Sequence, residues 1–197
     1  WAGANAHLGD LTLLVEPVKK LLSEFEDKIE FCFWGPEITF PKQFKDVKGV
    51  VLDKDWVVLS KYPNKLKSLG FDIGLAPLRD CYFNRGKSAI RWMEYSCLSI
   101  PTIVSDIGGQ FNEIIKDGEN GILAQTPDDF YNKLKTLILD KELREKIGHN
   151  AHNQVITEYN AEQMTLKYLE MLNQIKTEKM KTISKKKPES KILQPVL

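Results

Sequence analysis

No stretch of this sequence is apolar for long enough to cross a bilayer as a helix, which takes about 20 residues. No basic, apolar and small-residue succession of the signal-peptide kind opens it. The expected location is cytoplasmic. Cysteine is scarce, at Cys32, Cys81 and Cys97, and lacks the paired spacing of a metal site. Cys32 and Cys97 stand in apolar segments, so reduced core thiols are expected there. Net charge is also small, with 28 Lys and Arg against 27 Asp and Glu. The excess gathers at one end. From Asn173 to Leu197 seven lysines face only Glu178 and Glu189, a local charge of +5 that leaves −4 for the rest. A body without basic excess excludes a nucleic-acid binder. The basic end reads as a solvated tail, and it is the one part expected to touch a membrane.

What is present suits one domain with a sizeable core, since the chain has 197 residues and 42% hydrophobic content. It opens on Trp1, inside what reads as the end of a strand, and the expectation is a piece of a longer protein. Apolar residues at Leu11, Leu14, Val15, Val18, Leu21 and Leu22 have helical spacing over Leu8 to Phe25. Short apolar runs predict strands at Lys28 to Trp34, Gly49 to Leu52, Phe71 to Ala76, Pro101 to Val104 and Gly121 to Ala124. Helices are predicted at Ser88 to Leu98, Phe111 to Ile115, Asp128 to Leu139, Lys141 to Tyr159 and Ala161 to about Lys176. The domain is placed at residues 1–176 and a Lys-rich tail or linker at 177–197.

Alternation of this kind predicts an α/β fold, a Rossmann-like doubly wound parallel sheet with helices on both faces. Parallel strands joined by crossovers send every strand-to-helix loop to one edge, where open α/β sheets bind ligands. The loops expected there are Gly3-Ala4-Asn5-Ala6-His7, the stretch from Gly35-Pro36-Glu37, Leu78 to Lys87, and Ser105 to Gly109. All four contain glycine and the third is basic. Such a rim suits an anionic ligand such as a nucleoside diphosphate.

Chemistry concentrates between Phe71 and Gly121. A helix opening near Lys87-Ser88 offers free N–H groups and a positive dipole end to a phosphate. Lys87 adds a charge and Ser88 a hydroxyl. Lys87, Arg91 and Glu94 are spaced to share one helix face, and Glu94 is placed to accept from ribose hydroxyls. The plainer alternative is an exposed Arg91–Glu94 ion pair. Arg79 and Arg85, with Tyr82 and Phe83, either clasp a base or sugar or pack the third loop down. Asp53 and Asp55 are weighed as a metal pair and read as a hydrophilic turn. No metal is expected.

The run Asp72-Ile73-Gly74-Leu75-Ala76-Pro77-Leu78, then Lys87, Glu94-Tyr95, Ile100-Pro101, Gly108-Gly109, Glu113-Ile114-Ile115 and Asp117-Gly118 with Asn120-Gly121-Ile122-Leu123, resembles the carboxyl-terminal domain of a GT-B glycosyltransferase of the group 1 type. Gly3, His7 and Asp10-Leu11 are similar to that domain's first loop and helix. The resemblance covers roughly Trp1 to Tyr159. It implies one half of a GT-B architecture, binding a UDP- or GDP-linked sugar for transfer to an acceptor held by a missing N-terminal domain. It implies donor contacts at Gly3, His7, Arg79, Lys87, Ser88, Glu94, Gly108, Gly109 and Glu113, and no cofactor beyond the nucleotide sugar. The family commonly carries two glutamates eight positions apart. Glu94 matches the second, and Gly86 stands where the first belongs. The basic pair often found in the first loop is not evident, and His7 is the titratable residue there.

The leading expectation is thus a glycosyltransferase donor domain in glycan biosynthesis, inactive without its acceptor domain. Two alternatives stay open. One is a sugar-nucleotide epimerase domain, which shares the two-domain architecture. The other is a degenerate, non-catalytic interaction module, which Gly86 favours.

Overall fold

The computed structural model describes residues 1–3, 7–35, 41–55 and 57–185. Ala4, Asn5 and Ala6 of the expected first loop, Pro36 and Glu37 of the second, and Lys186, Lys187 and Lys191 of the tail lie outside the described residues. The chain divides into two compact units, Trp1–Ile156 and Thr157–Leu197.

In the first unit the polypeptide winds through α1 (Leu8–Leu11), α2 (Val15–Phe25), β1 (Phe31–Trp34), β2 (Val50–Asp53), α3 (Tyr62–Ser68) and β3 (Gly74–Ala76). Then come α4 (Tyr82–Arg85), α5 (Ile90–Ser96), β4 (Thr102–Ser105), α6 (Gln110–Ile114), β5 (Ile122–Ala124), α7 (Pro127–Leu139) and most of α8 (Lys141–Glu158). All strand pairs are parallel. The expected single sheet is realised as two ladders, β1-β2 and β3-β4-β5. Trp1 to Gly3 runs as extended chain beside β1. Trp34 donates its N–H to Trp1 O at 2.8 Å, and Gly3 donates to Trp34 O at 3.0 Å. The Trp1 backbone nitrogen donates to Cys32 O at 2.7 Å.

Burial explains the order of layers. Every residue of β4 is buried, as expected of a central parallel strand covered on both faces. α2 turns Val15, Val18, Leu21 and Leu22 inward at helical spacing. α7 answers with Phe130, Leu134 and Leu137, and these side chains join Leu11, Phe33, Leu75 and Ile103 in one core. α7 starts where Thr126 caps it, its side chain accepting from the Asp129 N–H, with Pro127 in the first turn. α8 packs Ile147, Gly148 and Ala151 inward. A Cβ on Gly148 would lie 2.0 Å from Ser99 O, so only glycine lets this helix approach so closely. A cavity of about 920 Å3 lies between the two ladders, lined by Phe31, Cys32, Ile73 and Leu75 among others.

In the second unit, α9 (Ala161–Lys185) starts on an Asn160 side chain that accepts from the Gln163 N–H. The helix passes the expected end at Lys176, so the first part of the Lys-rich segment, 177–185, is helical. Leu166, Tyr168, Leu169, Met171, Leu172 and Ile175 are exposed along it. Among the described residues no helix is long and apolar enough to cross a membrane. Cys97 departs from expectation: it is exposed, because α5 ends there and turns its inner face, Trp92, Tyr95 and Ser96, to the core. Cys32 is half-buried.

Candidate functional site

Two clusters of polar side chains form where strands hand over to helices. The first joins the first and third loops around Asp10, which is buried on the short helix α1. Its Oδ1 accepts from the Arg79 backbone N–H at 2.9 Å and from Asn84 Nδ2 at 2.8 Å. Its Oδ2 lies 3.0 Å from His7 Nδ1 and 3.8 Å from Lys87 Nζ. Asn84, itself buried, also donates to Arg79 O. Burial alone would raise the Asp10 carboxyl. The bonds from His7, Arg79 and Asn84 and the Lys87 charge outweigh it and hold the group below the usual carboxylate range. The Arg79 guanidinium packs on Gly9 and is largely exposed. Lys87 Nζ also sits 5.3 Å from the Phe83 ring centre, within cation–π range.

The second cluster holds Glu94. Arg91 Nη1 donates to Glu94 Oε2 at 2.6 Å and to the Tyr62 hydroxyl at 2.6 Å, and Tyr62 donates to Glu94 Oε2 at 3.1 Å. Burial pushes the Tyr62 phenol up to about 12, with Glu94 adding to the shift. Tyr95, one residue on, accepts from the Ala2 N–H at 2.8 Å, which ties α5 to the chain entering Gly3. The Arg91–Glu94 pair read as the plainer alternative is therefore present, but as half of a partly buried set that includes Tyr62.

The shared helix face expected for Lys87, Arg91 and Glu94 is not formed. Lys87 and Ser88 precede α5, whose N-cap is Ala89, so Lys87 turns to His7 and Asp10 while Glu94 turns to Arg91 and Tyr62. The helix start is also less open than expected, because the Ala89 N–H donates to Gln110 Oε1 at 2.7 Å. Arg85 pairs with Asp80 through two bonds of 2.6 and 2.8 Å, an exposed ion pair within the third loop. Tyr82 and Phe83 are exposed on α4, so they do not pack the third loop down. Ser88 and Glu113 are exposed, Glu113 on the outer side of α6.

The glycines divide by role. Gly108 and Gly109 have φ of +78° and +71°, and a Cβ on Gly109 would meet Arg85 O at 2.3 Å. That pair locks the fourth loop against the third. Leu78 N–H donating to Ser105 Oγ at 2.7 Å does the same deeper in. At Gly3 the Trp1 indole lies where a Cβ would be. Gly86 has an ordinary helical backbone, with φ −86°, and a Cβ there would meet only Phe83 O at 3.6 Å. Asp53 and Asp55 share Lys65, at 2.9 and 3.5 Å, so a cation of the chain already lies between them. Among the described residues no cluster of three or more His, Cys, Asp and Glu stands ready for a metal ion.

Residues 85–154 match the family model of glycosyl transferases group 1. The group 1 match bears out the resemblance read from the sequence and covers Lys87, Ser88, Glu94, Gly108, Gly109 and Glu113. His7, Asp10 and Arg79 lie ahead of it. The C-terminal domain of a group 1 family protein, LpcC from Francisella tularensis, superposes with a TM-score of 0.61 at 20% identity, covering 82% of this chain and 84% of that one. S. aureus TarM, in a complex that includes UDP, gives 0.68 at 18% identity, over 87% of this chain and 34% of its own. Anabaena Alr3699/HepE in complex with UDP-glucose gives 0.63 at 13% identity, over 83% and 44%. These likenesses establish the fold, a Rossmann-like half of the GT-B architecture, and the chain spans less than half of TarM or HepE. No curated protein sequence matches the chain.

Sequence reasoning missed two members of the site. Tyr62 sits on α3, an element it did not predict, although Leu59, Tyr62, Leu66 and Leu69 carry helical spacing. Asp10 entered as part of a resemblance, without a role. Its signal is an acidic residue within a helix of otherwise apolar inward positions.

Proposed function

We propose that this chain is the donor-binding domain of a glycosyltransferase, holding a nucleoside-diphosphate sugar for transfer to an acceptor on a separate N-terminal domain. The observation that carries the reading is the first cluster. Lys87, His7 and the exposed Arg79 guanidinium gather at loops that follow parallel strands, within and just ahead of a group 1 match. Open α/β sheets take nucleotides at that edge. As the glycosyl bond breaks, the departing diphosphate gains negative charge. Lys87 and Arg79 supply fixed positive charge for it in a pre-built setting, so the reading needs no metal. Glu94, oriented by Arg91 and Tyr62, is assigned to the ribose hydroxyls. A UDP-linked donor is the first to test, ahead of a GDP-linked one, because the TarM and HepE structures contain UDP or UDP-glucose. The proposed setting is the cytoplasm and the product a glycan or glycoconjugate.

Calorimetric titration with UDP, GDP and their sugars tests the reading. One nucleotide should bind, about tenfold more weakly after Lys87→Ala or Glu94→Ala, the loss that goes with one charged contact. Failure of every nucleotide to bind the folded chain would overturn it. That outcome would favour the second reading, a non-catalytic interaction module, which rests on Gly86. The backbone there has room for a Cβ and an ordinary φ, yet the residue is glycine. The domain alone is expected to transfer no sugar, which a radiolabelled-donor assay with added acceptor checks.

A further inference from the structure

We propose that Asp10 is the positioning residue of the donor site: it fixes the His7 ring so that Nε2 accepts a hydrogen bond from a donor-sugar hydroxyl, while Lys87 serves the diphosphate. The inference rests on the donor-binding reading. It starts from a conflict at one atom. His7 Nδ1 lies 3.0 Å from Asp10 Oδ2 and 3.4 Å from Lys87 Nζ. A ring nitrogen cannot donate to a carboxylate and accept from an ammonium at once. Both contacts involve a charged partner, but the one to the carboxylate alone falls within the usual hydrogen-bond range, so it decides. Nδ1 carries the hydrogen and donates to Asp10. Lys87 then pairs with Asp10 Oδ2, at 3.8 Å. In the neutral ring this leaves Nε2 as an acceptor. An acceptor is suited to a sugar hydroxyl and unsuited to a phosphate oxygen.

The rest of the carboxylate makes the arrangement rigid. Asp10 is 4% exposed, and a charge so buried persists only when its lone pairs are occupied. Here Oδ1 takes the Arg79 N–H and the Asn84 side chain, both from the third loop. One carboxylate therefore sets the first loop, the third loop, the His7 tautomer and the Lys87 position together. Asparagine at position 10 would still accept from Arg79 and Asn84. Its NH2 group, however, would face His7 Nδ1 and Lys87. Asp10→Asn thus separates holding the loops from orienting the ring.

The experiment is nitrogen-resolved NMR of the His7 ring, at a pH where the ring is neutral, on the wild type and Asp10→Asn, with calorimetry for UDP and UDP-glucose. The wild type is expected to show the Nδ1–H tautomer and Asp10→Asn the Nε2–H tautomer with an unchanged circular dichroism spectrum. His7→Ala should remove the affinity difference between UDP-glucose and UDP and leave UDP binding within about twofold. Lys87→Ala should weaken both ligands by about tenfold. An Nε2–H tautomer in the wild type overturns the proposal, as does an Asp10→Asn protein that keeps the wild-type tautomer. If Asp10→Asn does not fold, the wild-type tautomer and the His7→Ala titration decide. Absence of nucleotide binding by the wild type would sink the donor reading and, with it, the sugar contact, whereas the tautomer measurement would still stand or fall by itself.

Discussion

Single positions show how closely the site depends on backbone shape. Gly109 has φ +71° and ψ −157°, a region essentially reserved for glycine, and it touches Arg85 O. Gly109→Ala is expected to lower stability by about 2–4 kcal/mol, read as a shift of the urea midpoint. Gly86 is the counterexample. With an ordinary φ and only a 3.6 Å neighbour, Gly86→Glu should fold with stability within about 0.5 kcal/mol of the wild type, measured in the same way. That variant places a carboxylate where the family resemblance implies one. The sequence pointed to Lys87, Glu94, Gly108 and Gly109. It paired Lys87 with the wrong neighbours, because it treated the residues before Ala89 as helix. The Ala89 N–H at that boundary donates to Gln110 Oε1, a contact across 21 positions that local spacing does not reveal.

At the scale of elements, the strand ends were legible wherever glycine or proline stopped an apolar run, as at Trp34-Gly35 and Ala76-Pro77. The split into two ladders was not, since strand pairing depends on which edges meet and leaves no trace in local periodicity. α3 escaped notice because it is short and its one buried residue, Leu66, stands among polar ones, and α4 because it turns the polar Asn84 inward and leaves Tyr82 and Phe83 exposed, the reverse of the usual apolar signal. The end of α9 was misplaced for the opposite reason: lysines are good helix formers, and a Lys-rich stretch prolonged the helix that it was expected to end. The start of α7 is the best-marked boundary. Thr126→Ala should cost about 1 kcal/mol, seen as a lower thermal midpoint, with nucleotide affinity unchanged because the cap lies outside both polar clusters.

For the molecule as a whole, the buried Asp10 carboxylate makes stability depend on pH. Burial would raise its pKa, but the bonds from His7, Arg79 and Asn84 and the Lys87 charge hold it below the usual carboxylate range. The folded chain therefore gives up that proton more readily than the unfolded chain does. The stability this adds is fully present above the ordinary carboxylate range and is lost as pH falls through the folded value. Urea midpoints should fall on acidification below about pH 5, and by less in Asp10→Asn, which has no proton to take up there. An equal acid loss in the two proteins would contradict the depressed carboxyl.

Cys81 is exposed at the N-cap of α4, in the loop that carries Arg79 and Lys87. Cys97 is exposed at the far end of α5, where partial desolvation of its sulfur and the Glu94 charge raise its thiol. The two thiols turn the chain into its own occupancy gauge. A ligand seated on the third loop should shield Cys81 from an alkylating reagent and leave Cys97 to react at its usual pace. The ratio of the two modification rates, followed by mass spectrometry as nucleotide is added, then reports how often the loop is covered, using cysteines the sequence already has.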